Sequence, residues 1–265
     1  MKAAVLQLSA QGLSSTKLYN YIRVANNKGI KVLLLGEYIL NPFFKELESM
    51  SISMIQEQAN QQINILKELS STYAMTIVAP LVIVKGKKIY KTVAKFAPNS
   101  TSYYKQQLLI NYAHWNEEKF FANEMKALES PLIFNINGFK FAIMSGFELH
   151  FDELWSDIKN KNVDCVLLPS VSTFDSYERW KNLVLSRAFT HNCYVLRANR
   201  IGEFQDKEHT WQFYGDSFLA SPNGEMLEHL GNKEELMIVD MSHSEVLYAR
   251  KAWGFKEMLN KRILS

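Results

Sequence analysis

The stretch FAIMSGFELHFDELW, residues 141–155, holds a strand, a turn and the start of a helix. The apolar run from Phe139 to Met144 is broken only by Lys140 and ends at Ser145-Gly146. A mixed acidic and aromatic segment with a helical pattern follows. A strand that stops at a tight turn before a helix can present a nucleophile at its end. This turn offers a serine and a glycine.

Outward from this point, strand and helix patterns alternate. Towards the N-terminus, residues 2–8 read as a strand. A helical face follows on Leu18, Tyr21, Ile22 and Ala25, with Ser14 and Ser15 as cap candidates and Gly29 closing it. IKVLLLGE, 30–37, is a short unbroken apolar run, as expected of a strand buried on both faces. Ile52, Ile55, Ala59, Ile63, Leu66 and Tyr73 mark a second amphipathic helix. MTIVAPLVIV, 75–84, a turn at 85–88 and IYKTVAKFA predict a hairpin, with a further strand-like run from Tyr103 to Leu109. Beyond the opening stretch, VDCVLLPS and NCYVLRANR read as buried strands separated by a helix over Tyr177 to Thr190. A late hairpin runs from Phe213 to Leu230 around Pro222-Asn223-Gly224. ELMIVDM predicts a last strand, followed by a C-terminal helix or tail. Hairpins mixed into a strand–helix alternation predict a layered α/β fold with a mixed sheet. No linker-like composition and no repeat of 20–50 residues divides the chain, so residues 1–265 are expected to form one domain.

The 265 residues suffice for a large core; 47% are hydrophobic and 22% charged, as in ordinary globular proteins. A net charge of +3 gives no electrostatic footprint for nucleic acid. No apolar run approaches the roughly 18 residues of a membrane span. The apolar part of MKAAVLQLSA is shorter than a signal-peptide core, so a cytoplasmic protein is expected. Cys165 and Cys193 sit in strand-like runs and read as buried thiols. GxGxxG, P-loop, HExxH and paired CxxC motifs are absent, which leaves nucleotide, metal and cofactor sites without support.

Three polar positions stand out against plainer readings. Glu37 ends a buried strand, where ligand sites gather in α/β sheets, yet it also reads as a capping or loop carboxylate. Lys105 interrupts TSYYKQQLL and reads equally as a snorkelling surface lysine. Glu117 and Glu118, in HWNEEKFF, read alone as a solvated pair.

In order, MKAAVLQL, LLLGEYIL, IYKTVAKF with YYKQQLL, NEEKFF, FELHFDELW, WKNLVLSRAFTHNCYVLRANRIG and FYGDSFLASPNGEML resemble the nitrilase superfamily of carbon–nitrogen hydrolases. The likeness runs from the first strand to about residue 255, and residues 180–202 are its most specific part. It implies a four-layer αββα sandwich with mixed sheets and a Glu–Lys–Cys triad, often with a second glutamate. Carried over by pattern, Glu37 in GEYIL matches the general base, Lys105 the oxyanion-stabilising lysine of YxKxxL, and Glu118 in EKFF the second glutamate. Such chemistry needs a carboxylate to take a proton and a fixed cation to meet the developing negative charge.

The family elbow reads Cys, aromatic or acid, acid, two variable residues, aromatic, Pro, Glu. Gly146 to Glu153 align with it without a gap, and the nucleophilic cysteine falls on Gly146. Glycine tolerates the strained torsions of an elbow, so the turn is expected to keep its shape and leave a thiol-sized hole between Glu37, Lys105 and Glu118. The resemblance then implies an amidase-like scaffold, catalytically impaired, whose pocket binds a small linear amide or N-carbamoyl ligand. Two alternatives stay open. One is an active hydrolase using a Glu37-activated water or Ser145, although strand alternation puts Ser145 on the opposite face. The other is a purely structural partner subunit. The family habit and the apolar Phe151, Leu154 and Trp155 predict a homo-oligomer, a dimer, with no nucleic-acid or membrane partner.

Overall fold

The computed structural model describes residues 1–11, 16–206 and 209–263, and the side chains of all of these except 263; the cap candidates Ser14 and Ser15 lie outside them. The first half runs β1 (Lys2–Gln7), α1 (Thr16–Asn27), β2 (Val32–Leu35), α2 (Phe44–Leu47), α3 (Ile52–Thr72), β3 (Thr76–Lys85), β4 (Lys88–Ala97), β5 (Ser100–Lys105) and α4 (Glu117–Phe120). The second half opens with β6 (Leu132–Ile136) and β7 (Phe139–Ile143). After a 3-10 turn over Gly146–His150 come α5 (Asp152–Asn160), β8 (Cys165–Pro169), α6 (Tyr177–His191) and β9 (Tyr194–Ala198). The chain ends with β10 (Ile201–Gln205), β11 (Thr210–Tyr214), β12 (Phe218–Ala220), β13 (Met226–His229), β14 (Glu235–Asp240), α7 (His243–Trp253) and α8 (Phe255–Ile263).

Two six-stranded mixed sheets form, in the orders β14-β1-β2-β3-β4-β5 and β13-β12-β9-β8-β7-β6. Each has three parallel strands at its centre, β1-β2-β3 and β7-β8-β9, flanked by antiparallel partners. The strands are continuously apolar because both faces are buried. Ala3 and Val5 of β1 pack against Phe141 and Leu167 of the other sheet, whereas Ala4 and Leu6 face Leu18 and Ile22 of α1 and Leu66 of α3. On the far side, Leu154 and Trp155 of α5 and Val184 of α6 cover the second sheet. The result is the expected αββα sandwich. Gly86 and Lys87 close the β3–β4 hairpin, with Lys85 paired to Lys88 and Gly86 at φ +61°.

Three elements depart from the sequence reading. Phe213 belongs to a separate hairpin, β10–β11, and not to the late one. The C-terminal segment forms two helices. Leu154 and Trp155 are 2% and 0% exposed within this chain, so the apolar bulk offered as a dimer face is already used in the core. Among the described residues no helix is long and apolar enough to cross a membrane.

Candidate functional site

The parallel strands of both sheets end on one side of the sandwich, and the strand-end loops meet there. β2 runs into Gly36 and Glu37, β7 into Ser145 and Gly146, and β8 into Ser170. A β-carbon on Gly36 would lie 2.8 Å from the Asn199 carbonyl carbon, so glycine is required for the two sheets to approach this closely. The backbone N–H of Glu37 donates to the Ser170 carbonyl at 3.0 Å, which fixes the carboxylate opposite the β7 turn.

The cation that meets Glu37 is Lys91, from the middle of β4. Its Nζ lies 2.6 Å from Glu37 Oε2 and 2.7 Å from Glu117 Oε1. The Tyr38 hydroxyl donates to the same Glu117 oxygen at 2.6 Å. Glu37, Lys91 and Glu117 are 2%, 5% and 0% exposed. Burial raises the Glu37 carboxyl above its ordinary value despite Lys91, and the nearby Glu117 adds to the rise. For Lys91, burial works downward but is outweighed by Glu117 and Glu37, and its affinity for the proton ends up raised. Two carboxylates against one ammonium leave one negative charge in excess, which acts in the same direction as burial on Glu37.

The expected convergence of Lys105 and Glu118 is not found. Strand pairing sets Lys105 beside Thr92 and Tyr104 beside Val93, so Tyr104 faces the sheet interface and Lys105 faces outwards. The Lys105 ammonium sits in solvent, 4.5 Å above the centre of the Tyr90 ring. Glu118 lies on the outer side of the single-turn α4, where the Asn111 amide donates to it, and its neighbour Glu117 turns inwards. Gln106, one residue beyond Lys105, is the inward position: it is 1% exposed and crosses to Lys91 through its backbone N–H. Lys91 carried a partial signal: IYKTVAKF holds two lysines on one face of the strand, Lys91 and Lys95, and Lys91 lies nearer its apolar middle. The choice between Glu117 and Glu118 had none.

Ser145 and Gly146 also depart from expectation. Phe141 and Ile143 face the other sheet while Ala142 and Met144 face the helices, and Ser145 continues that alternation on the inward face. Ser145 is extended at φ −75° and turns its hydroxyl into the cluster, 2.9 Å from Gln106 Oε1 and 3.3 Å from Glu37 Oε1. Gly146 is not among the left-handed glycines, so torsional strain does not call for it. Space does. A β-carbon there would stand 3.0 Å from both Glu37 Oε1 and Ser170 Cβ, and the Gly146 N–H donates to Glu37 Oε1 at 3.2 Å. Ser170 is held in turn by the buried Arg197, which is paired with Asp216 at 2.7 Å. The thiol-sized hole is therefore filled by the Glu37 carboxylate and Ser170. A separate cavity of about 10 Å³, the scale of one water molecule, touches Glu37 and Lys91 from the β3 side, beside Asn41 and Leu81, and not Gly146.

The turn itself is pinned by Glu148. Its carboxylate accepts from the backbone N–H groups of Ser145 at 2.8 Å and Gln107 at 2.6 Å and from the Tyr104 hydroxyl at 2.9 Å. Burial pushes Glu148 up to about 7 in spite of these donors. Above the cluster, Phe43, Phe44, Trp115, Trp211 and Phe213 pack into one aromatic plug. Phe43 lies edge-on to Trp115 at 5.0 Å, and Arg200 donates to the Tyr38 carbonyl at 2.9 Å.

A two-sheet αββα sandwich with a buried Glu–Lys–Glu cluster at its strand ends defines an amidase-type scaffold. The chain belongs to the carbon–nitrogen hydrolase family, whose model matches residues 2–251. It is 31% identical over 91 residues to an N-carbamoylputrescine amidase of Oryza sativa subsp. japonica, a match covering 32% of this chain and only 30% of that protein. It is 21% identical over 258 residues to an omega-amidase of Bos taurus, covering 94% of this chain and 91% of that protein. A carbon–nitrogen hydrolase from Helicobacter pylori G27 superposes with a TM-score of 0.83 at 20% identity, over 96% of this chain and 94% of that chain, which establishes the shared fold.

Proposed function

We propose that this chain is a single-domain family member that has lost covalent amide hydrolysis, and that its strand-end cluster acts as a buried structural network joining the two sheets. The observation that carries this is the crowding at Gly146, where Glu37 Oε1 and Ser170 Cβ stand 3.0 Å from any added β-carbon. A substrate amide needs its carbonyl carbon within about 3–3.5 Å of a nucleophile. The Glu37 carboxylate and Ser170 occupy the space in which a nucleophile on position 146 would stand. Retention of an amide-binding pocket, the simpler expectation, loses support for the same reason.

A second reading is favoured by one observation, the inward hydroxyl of Ser145, 3.3 Å from Glu37. In it Glu37 takes the Ser145 proton, Lys91 stabilises the oxyanion, and the aromatic plug opens to admit the amide. The relatives' names suggest the probes: ω-amides and N-carbamoyl amines, assayed for ammonia release. The first reading expects no release from the wild type. Release abolished by Ser145→Ala supports the second. Release that survives Ser145→Ala but is lost with Glu37→Gln points to a Glu37-activated water and overturns both.

A homodimer and a cytoplasmic location belong to the same proposal. Leu247, Tyr248 and Met258, 52%, 69% and 66% exposed on the last two helices, support self-association, which light scattering tests. The two unpaired buried thiols support a reducing compartment.

A further inference from the structure

The outward turn of Lys105 places it in a groove of about 460 Å³ between α3 and the outer face of β3, β4 and β5. Lys67 from α3 and Lys85 from β3 line the same groove, and no Asp or Glu does. Among the described residues none of these three ammoniums is in an ion pair. The carboxylate that feels Lys105, Glu124, lies outside the groove and is paired with Lys126 at 2.7 Å. The floor is Tyr90, 8% exposed, with the Lys105 ammonium held over its ring; Tyr103 forms one wall with 42% of its surface in solvent.

We propose that this groove is a binding site for a small organic anion, a carboxylate or phosphate monoester carried on a flat or apolar body. Three uncompensated cations facing one concavity repel one another, and an anion between them removes that repulsion. The volume lies within the roughly 300–1,000 Å³ of small-molecule sites. The tyrosine rings and the half-buried Ile63 and Ile83 give the body of the ligand an apolar seat. Lysines also guard exposed sheet edges, and β5 is an edge strand. That role accounts for Lys105 but not for Lys67 on a helix or Lys85 on an inner strand. The site is separate from the strand-end cluster, although Tyr90 and Thr92 flank Lys91 on the opposite face of β4.

Calorimetric titration of the full chain tests this, with phenyl phosphate, benzoate and inorganic phosphate as probes. Saturable 1:1 binding of phenyl phosphate or benzoate is expected, weakened about tenfold or more in Lys67→Gln/Lys105→Gln, with Lys87→Gln in the nearby turn as an unaffected control. Which of the two organic probes binds identifies the head group, and either supports the site. The proposal is overturned if neither saturates, if the double variant binds as the wild type does, if Lys87→Gln weakens binding equally, or if inorganic phosphate binds as tightly as phenyl phosphate.

Discussion

Replacing Lys91 by methionine keeps the length of the side chain and removes its charge. Glu37 and Glu117 then lose an ammonium at 2.6 and 2.7 Å and remain 2% and 0% exposed. Removing one partner of a buried ion pair costs about 3–5 kcal/mol, because the remaining charge is left without compensation. With a urea m-value of about 3 kcal/mol/M, the unfolding midpoint falls by on the order of 1 M at pH 8. The loss depends on pH with a defined sign. Glu37 is already raised by burial, and without the opposing Lys91 its carboxyl rises further above the unfolded value of about 4.3. Between that value and the raised folded one, the native state of the variant binds more protons than its unfolded state. The stability of the variant therefore rises as pH falls through the window, and its deficit shrinks. Urea unfolding of wild type and Lys91→Met at pH 8 and 5.5 measures this, with Lys105→Met as the comparison. The latter loses only an exposed cation–π contact, about 0.5–1 kcal/mol. A Lys91→Met deficit below about 1 kcal/mol at pH 8, or one equal at both pH values, refutes the reasoning.

Glu148, raised by burial to about 7 from 4.5, makes the native state the stronger proton binder between those values, so stability falls by about 3 kcal/mol as pH rises from 4.5 to 7. Denaturant unfolding across that range shows this slope in the wild type and its loss in Glu148→Gln. Gly146→Ala pushes a β-carbon against Glu37 and a Ser170 held by Arg197, and urea unfolding is expected to show a loss of about 1–3 kcal/mol. Cys165 and Cys193 are 0% exposed, and burial pushes the Cys193 thiol up to about 12, so Ellman's reagent at pH 8 labels neither until the chain unfolds.

The sandwich was readable because its strands are buried on both faces. A run such as VLLL at 32–35 has no polar alternation to confuse with a surface strand, and α1 and α3 show the helical period on their inward faces. The β10–β11 hairpin was harder to see. Its first strand alternates weakly in burial, with Gly202 and Glu203 at its start, and its second strand, which alternates clearly, runs almost directly into β12. At the β7 turn the ungapped elbow located the site, but its direction needed coordinates. Taking Gly146 as the inward residue put Ser145 on the wrong face, whereas the alternation of Phe141 and Ile143, which face the other sheet, carries Ser145 inwards.

The charged trio and the glycine obey different physical constraints. Glu37, Lys91 and Glu117 meet in a dry interface, so losing Lys91 leaves two buried carboxylates uncompensated. The interface does not prescribe which strand supplies the ammonium. Lys91 on β4 and the inward Gln106 just past the end of β5 are joined by a backbone hydrogen bond of 3.2 Å, so either segment can place a side chain towards the cluster. A pattern such as YxKxxL therefore finds the region but not the residue. A thiol at position 146 is no part of that charge balance. Once glycine stands there, the Glu37 carboxylate takes a hydrogen bond from its backbone N–H and lies, with Ser170, where a β-carbon would have been. Placing a thiol there by Gly146→Cys then requires Glu37 to shift, and shifting Glu37 disturbs its contact with Lys91, so the charged cluster resists any side chain at this position.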